Sequence, residues 1–175
     1  GMIVDVSHVS DQTFWDIMDV TRKPVLASHS SLRSLADIPR NMTDAMVRRV
    51  AAGGGAVCIN FFTQFLDREY RLRRRRLAWR EREAFRALPE GHWVDEGRAA
   101  FELAQRLDPN LNPPSVDTIV RHIARTVELG GAGAACLGSD FDGVSELPVG
   151  MRDVRDLGVL REALEERELP VRETF

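Results

Sequence analysis

Pro24-Val25-Leu26-Ala27-Ser28-His29-Ser30 is the stretch on which the fold turns. A proline ends what precedes it, an apolar run of strand length follows, and the run closes on an imidazole. Three other stretches repeat the plan. Met2-Ile3-Val4-Asp5-Val6-Ser7 ends at His8, Ala56-Val57-Cys58-Ile59 ends at Asn60, and Ala135-Cys136-Leu137-Gly138-Ser139 ends at Asp140. Each run reads as a short buried strand, and a helical pattern follows each one. Four strand-then-helix units with no hairpin signal between them predict an α/β fold with a parallel sheet. That is half of an eight-stranded βα barrel or a small doubly wound sheet. In either, the C-terminal ends of the strands share one face, where ligands bind.

The connecting segments support this reading. Ser10 is placed to cap a helix from about Asp11 to Arg22, with Phe14, Trp15 and Met18 at helical spacing. Thr43-Asp44 opens a helix through Val50, stopped by Gly53-Gly54-Gly55. The triple glycine follows a helix rather than opening one, which argues against a phosphate-binding loop. Ser115 is placed to cap a helix through Leu129 with an apolar stripe at Val116, Ile119, Val120, Ile123 and Val127. A last helix runs from about Val154 to Glu168 and stops at Pro170. Residues 67–107 break the rhythm and read as a charged helical insertion in a βα loop of a single domain, 1–175. Within it, Tyr70 to Arg86 reads as an exposed helix, Pro89-Glu90-Gly91 as a turn, and 95–107 as a second helix. Arg71 and Arg73 to Arg76 read as a solvated face answered by Glu81 and Glu83, in preference to a nucleic-acid patch.

Composition narrows the classes. The 175 residues are 43% hydrophobic and 29% charged, with a net charge of -3. Those values suit one globular domain and give no reason to expect nucleic acid or an anionic membrane as partner. No apolar stretch approaches the roughly 20 residues of a spanning helix. No signal peptide is visible, which favours a cytoplasmic location. Cys58 and Cys136, both inside strands, read as reduced core cysteines rather than a disulfide or a ligand pair.

The strand tips carry the chemistry. His8 and His29 lie one strand–helix–strand step apart, and neighbouring parallel strands are about 4.8 Å apart. Two imidazoles so placed reach a common metal with bonds of about 2.0–2.1 Å. Asp140, in Gly138-Ser139-Asp140-Phe141-Asp142-Gly143, is a carboxylate able to take a proton from a metal-bound water and return it to a leaving amine. Asp142 reads more simply as a cap or turn residue. Arg40, in the loop after His29, is a fork suited to a carboxylate. Asn60 either orients a ligand or ties loop backbone together. His92 and His122 read as unexceptional, His122 as structural.

Taken in order, Asp5-Val6-Ser7-His8-Val9-Ser10, Ser28-His29-Ser30-Ser31, Pro39-Arg40-Asn41-Met42-Thr43-Asp44 and Gly138 to Gly143 resemble the successive signatures of the membrane (renal) dipeptidase family, the zinc dipeptidases of peptidase family M19. The resemblance covers nearly the whole chain and implies the C-terminal half of a TIM-like (β/α)8 metal-dependent hydrolase barrel. It implies hydrolysis of dipeptides by a water held between two zinc ions. It makes His8 and His29 ligands of the second zinc, Arg40 the residue on the substrate's C-terminal carboxylate, and Asp140 the acid/base group; Asn60 joins Arg40 as a substrate-binding candidate by its place at a strand end alone. A His-x-Asp pair, a bridging glutamate and a further substrate-touching histidine of the family have no counterpart here; His92 and Glu96 fall in the charged segment. The resemblance therefore implies one half of a binuclear site, at most one partial zinc site, and little activity of the chain by itself. It also implies exposed sheet edges that associate with a second copy or with an N-terminal half barrel. Two alternatives stand beside it. One is another amidohydrolase-type enzyme acting on a cyclic amide or lactone, and the other is a non-catalytic truncated interaction module.

Overall fold

The computed structural model describes residues 1–85 and 93–169, with the side chains of 79–85 and 93–98 outside the description. The elements in chain order are β1 (Val4–Asp5), α1 (Asp11–Val20), β2 (Val25–Ser30), α2 (Asp44–Ala52), β3 (Ala56–Ile59), α3 (Thr63–Leu66), α4 (Arg68–Phe85), α5 (Trp93–Leu107), α6 (Val116–Gly130), β4 (Ala135–Leu137) and α7 (Leu157–Glu165). The four strands pair in parallel in the order β1-β2-β3-β4. Strand order equal to chain order distinguishes barrel winding from a doubly wound sheet, whose order reverses at a switch point. Right-handed crossovers then place the connecting helices on one face of the sheet.

Local chemistry starts the helices where the sequence predicts. The Ser10 hydroxyl accepts from the Thr13 amide, and Thr43 Oγ1 accepts from the Met46 amide. Each thereby satisfies one of the donors that a helix N-terminus leaves open. Ser115 departs from expectation: it stands at the N-cap position of α6, but its side chain makes no capping bond. The core lies between sheet and helices. Val25 and Ala27 of β2 and Val57 and Ile59 of β3 meet Phe14 and Met18, Met46, Val47 and Val50, Ile119, Val120 and Ile123, and Leu160 and Leu164. The alternate strand positions, Asp5, Ser28, Cys58 and Cys136, face the other way.

Two strands depart from the expectation of burial. Val4 in β1 is 43% exposed and Leu137 in β4 is 46% exposed. They are the two edges of the sheet, each lacking a neighbour on one side, so only β2 and β3 are enclosed. Among the described residues no helix is long and apolar enough to cross a membrane.

The cysteines also depart from expectation. Cys58 and Cys136 form a disulfide. They are register partners on adjacent parallel strands and project to the same side, which strand assignment without register does not reveal.

The arginine-rich helix is not simply solvated. Arg74 and Tyr70 are buried. Arg74 Nε donates to Glu146 Oε2 at 3.1 Å, Thr63 Oγ1 to Glu146 Oε1 at 2.7 Å, and the Tyr70 hydroxyl to Oε2 at 3.3 Å. Burial first and Glu146 second push the Tyr70 phenol up, so it stays a donor. Arg73 pairs with Asp108, 2.5 Å away. The expected turn at 89–91, the partners Glu81 and Glu83, and Pro170 lie outside the described residues or side chains, as does His92.

Candidate active site

The tips of β1 and β2 bring His8 and His29 together. Their Nε2 atoms are 2.7 Å apart. His29 is the penultimate residue of β2, while His8 lies just past β1 in the left-handed region, φ 69°. That backbone costs a non-glycine residue about a kcal/mol or more, and it turns the ring back toward β2. Partial desolvation first, and then the charges of Arg40 and His29, hold His8 below the ordinary imidazole range; Asp140 and Asp5 oppose this. The ring is therefore neutral at neutral pH, the form that binds a metal.

Behind the pair stands a polar lattice. Asp5 accepts from the amides of Ser7 and Ser28 and, at 2.5 Å, from the Ser28 hydroxyl. Burial raises the Asp5 pKa, but hydrogen bonds from Ser28 and Ser7 outweigh it, and the net shift is downward. Ser28 Oγ also lies 2.7 Å from His29 Nδ1. The Ser7 hydroxyl accepts from the His29 amide and meets Ser30 Oγ.

Arg40 reaches the same rim from the loop after β2. Its Nη1 donates to Ser30 Oγ and its Nη2 to the His29 carbonyl. The guanidinium carbon lies 5.6 Å from the centre of the Phe65 ring. Its Nε is buried and finds no acceptor. Burial lowers the Arg40 pKa, against the pull of Asp140 and Asp5. Arg33 sets the loop: its Nε donates to the Asn41 carbonyl, its Nη2 to the Pro39 carbonyl, and both terminal nitrogens to Asp11 on α1. It thus grips the chain on either side of Arg40. His8 and Arg40 line one small pocket with Val9, Pro39 and Met42.

The tips of β3 and β4 contribute an amide and a carboxylate. Asn60 is fully buried. Its Nδ2 donates to Asp140 Oδ2 at 3.1 Å and its Oδ1 accepts from the Phe62 amide at 2.6 Å. The bond to Phe62 matches the reading of Asn60 as a tie on loop backbone; its other bond goes to the Asp140 carboxylate of this chain rather than to a ligand. Asp140 is held at φ 59°, and its carbonyl accepts from the Gly143 amide. A Cβ on Gly143 would lie 2.0 Å from Asp140 Oδ1, so only glycine leaves room for this carboxylate. His122, as expected, is structural. Its Nδ1 accepts from the Leu32 amide and its Nε2 donates to the Leu66 carbonyl, joining the loops after β2 and α3.

The residues that escaped sequence reasoning are Asp5, Ser7, Ser28, Ser30 and Arg33. A signal was present for some of them. Ser7-His8 and Ser28-His29 repeat one dipeptide at two strand ends, and strand alternation puts Asp5 and Ser28 on one face. Arg33 carries no such signal, because its partners are set by loop geometry. Among the described residues no group of three or more His, Cys, Asp or Glu is arranged to hold a metal ion.

Two imidazoles and a carboxylate at parallel strand tips, with a guanidinium from the loop after β2, thus gather on the face where βα barrels bind ligands. The family model of the membrane dipeptidases, peptidase family M19, matches residues 1–173, and the chain belongs to that family. An uncharacterized dipeptidase of Schizosaccharomyces pombe is 30% identical over 88% of this chain and 27% of its own length. A protein encoded in the pqqA 5′ region of Klebsiella pneumoniae is 30% identical over 89% of this chain and 43% of its own. The chain thus spans less than half the length of these relatives. Among solved structures, the probable dipeptidase PvdM of Pseudomonas aeruginosa aligns with a TM-score of 0.71 at 22% identity, over 95% of this chain and 45% of that one. A metallopeptidase of Rhodobacter sphaeroides, solved with a phosphinate mimic of L-Ala-D-Ala, aligns at 0.64 and 24% identity, over 93% and 35%. These likenesses bear on the fold, which is α/β with the parallel βα units of a TIM-like barrel.

Proposed function

We propose that this chain carries part of the active site of a zinc dipeptidase: His8 and His29 as ligands of one zinc ion, Asp140 as acid/base group, and Arg40 as anchor for the C-terminal carboxylate of a dipeptide. The observation that carries the reading is the 2.7 Å approach of the two Nε2 atoms on one rim with Asp140 and Arg40. The donor chemistry fits zinc, since neutral imidazole is among its preferred ligands. The contact is closer than two nitrogens sit on one ion, so the exposed His8 ring has to swing outward. Zinc would supply a water acidic enough to attack an amide near neutral pH. Asn60 fixes the Asp140 carboxylate that would hold and pass on a proton. The cationic Arg40 beside His8 in one pocket favours a substrate with a free carboxylate over a lactone or cyclic amide.

Two imidazoles bind zinc weakly compared with a set of three or four ligands. The reading therefore gives the chain by itself at most one loosely held zinc and no dipeptide turnover. Exposed edges at β1 and β4 favour association with a second copy or with the remaining units of a barrel. Elemental analysis of the purified chain, with hydrolysis of L-Ala-L-Ala followed under added zinc, tests this. Two metals per chain with turnover would show that the half-site reading is wrong. Binding of L-Ala-L-Ala to the zinc-loaded chain, compared with its C-terminal amide, tests Arg40. Discrimination of tenfold or more should vanish in Arg40→Ala.

A further inference from the structure

Ser28 Oγ has one proton and two close partners, Asp5 Oδ2 at 2.5 Å and His29 Nδ1 at 2.7 Å. The Asp5 carboxylate already accepts from the amides of Ser7 and Ser28, which favours its ionised form. An ionised carboxylate can only accept, so the Ser28 proton points to Asp5. Ser28 Oγ then has only lone pairs to offer His29, and His29 Nδ1 must bring the proton of that contact. The form of an imidazole that binds a metal carries a single N–H, so with that proton on Nδ1 the Nε2 of His29 is bare. The His8 contact accommodates this assignment, with His8 Nε2–H donating to the bare His29 Nε2 across 2.7 Å.

We propose that Asp5 and Ser28 are positioning residues that lock His29 in its Nδ1–H tautomer and present the Nε2 lone pair at the strand tip as a preformed metal-ligand atom. The inference rests on the reading of His29 as a zinc ligand. The two imidazoles are then unequal. His29 is prepared before any metal arrives, whereas His8 must give up its hydrogen bond to His29 and move its proton to Nδ1 before its own Nε2 can bind. Hydrogen bonding to the far nitrogen of a ligating histidine fixes ring orientation and raises its basicity, and loss of such a partner typically costs 10–100-fold in metal affinity.

Long-range proton–nitrogen NMR of the metal-free 175-residue chain, with imidazole nitrogens labelled, reads the tautomer directly. His29 should show a protonated Nδ1 and a bare Nε2. Ser28→Ala should return the ring to a mixture and weaken zinc binding 10–100-fold by calorimetric titration, and Ser28→Thr, which keeps the hydroxyl, should preserve both. A protonated Nε2 on His29 in the unaltered chain overturns the proposal, whatever the variants do. Unchanged zinc affinity in a folded Ser28→Ala also overturns it. If the unaltered chain has the expected tautomer and yet binds no zinc, the metal reading of the rim has failed, while the Asp5–Ser28–His29 lock on the ring stands.

Discussion

The two pairs of strand tips are built differently. At β1 and β2 the functional rings rest on reversible side-chain hydrogen bonds near an exposed rim, through Ser28, Asp5 and Ser7. At β3 and β4 the strands are joined covalently by Cys58–Cys136, Asn60 is buried, and the loop carrying Asp140 is anchored through Glu146 to α4. The contrast suits the proposed roles. Ligands to an incoming ion have to shift by tenths of an ångström, whereas a group that transfers protons gains from being held in one place. Disrupting the β3–β4 side should therefore cost stability and misplace Asp140 while leaving the histidine pair able to bind metal.

The largest effect should come from Arg74→Met. It leaves the Glu146 carboxylate buried without its cation, at about 3–5 kcal/mol by chemical denaturation. Zinc affinity of the folded fraction should be unchanged; a parallel loss would show that the two sides are one unit. Reduction of Cys58–Cys136 comes next. A closed loop with a sequence separation of 78 gives up to about 4.5 kcal/mol in the chain-entropy account. Denaturation with and without a reductant measures it, and no difference would mean that the staple is idle.

His122 spans both sides and is the place to use pH. Burial first lowers its pKa from 6.5 to about 4, with Arg121 adding to the shift and the Leu66 carbonyl and Asp67 opposing it. The unfolded chain takes up the proton at higher pH than the native one does. Stability from neutral His122 is therefore complete above about pH 6.5 and is lost as the pH falls toward 4, for a total of about 3 kcal/mol. Comparing the pH dependence of unfolding with that of His122→Gln isolates the contribution, and identical slopes would remove it. The smallest effect is Gly143→Ala, where a Cβ 2.0 Å from Asp140 Oδ1 forces the carboxylate aside. A loss of about 1–3 kcal/mol is expected, with zinc binding untouched.

Much of this site was legible in the sequence because strand ends and helix caps are local. Apolar runs closing on His8, His29, Asn60 and Asp140 placed all four on one rim, and Ser10 and Thr43 announced their helices. What escaped depends on register and distance. Cys58 and Cys136 look like two ordinary core residues until β3 and β4 are aligned. Arg74 looks solvated because its partner Glu146 lies 72 residues away, beyond any helical spacing. Burial of β1 and β4 failed as an expectation because an apolar run reports the capacity to be enclosed, and an edge strand leaves that capacity unused.

The matching of strand order to chain order also sets a timetable. Val4 pairs with Val25 and Leu26 with Ala56, so the first three strands are able to zip up one after another as the ribosome delivers them. Cys58 meets Cys136 only after four helices have intervened. Within this stretch the histidine pair thus forms before the Asn60–Asp140 pair, with an interval in which the imidazoles stand ready and the carboxylate that would use them has yet to arrive.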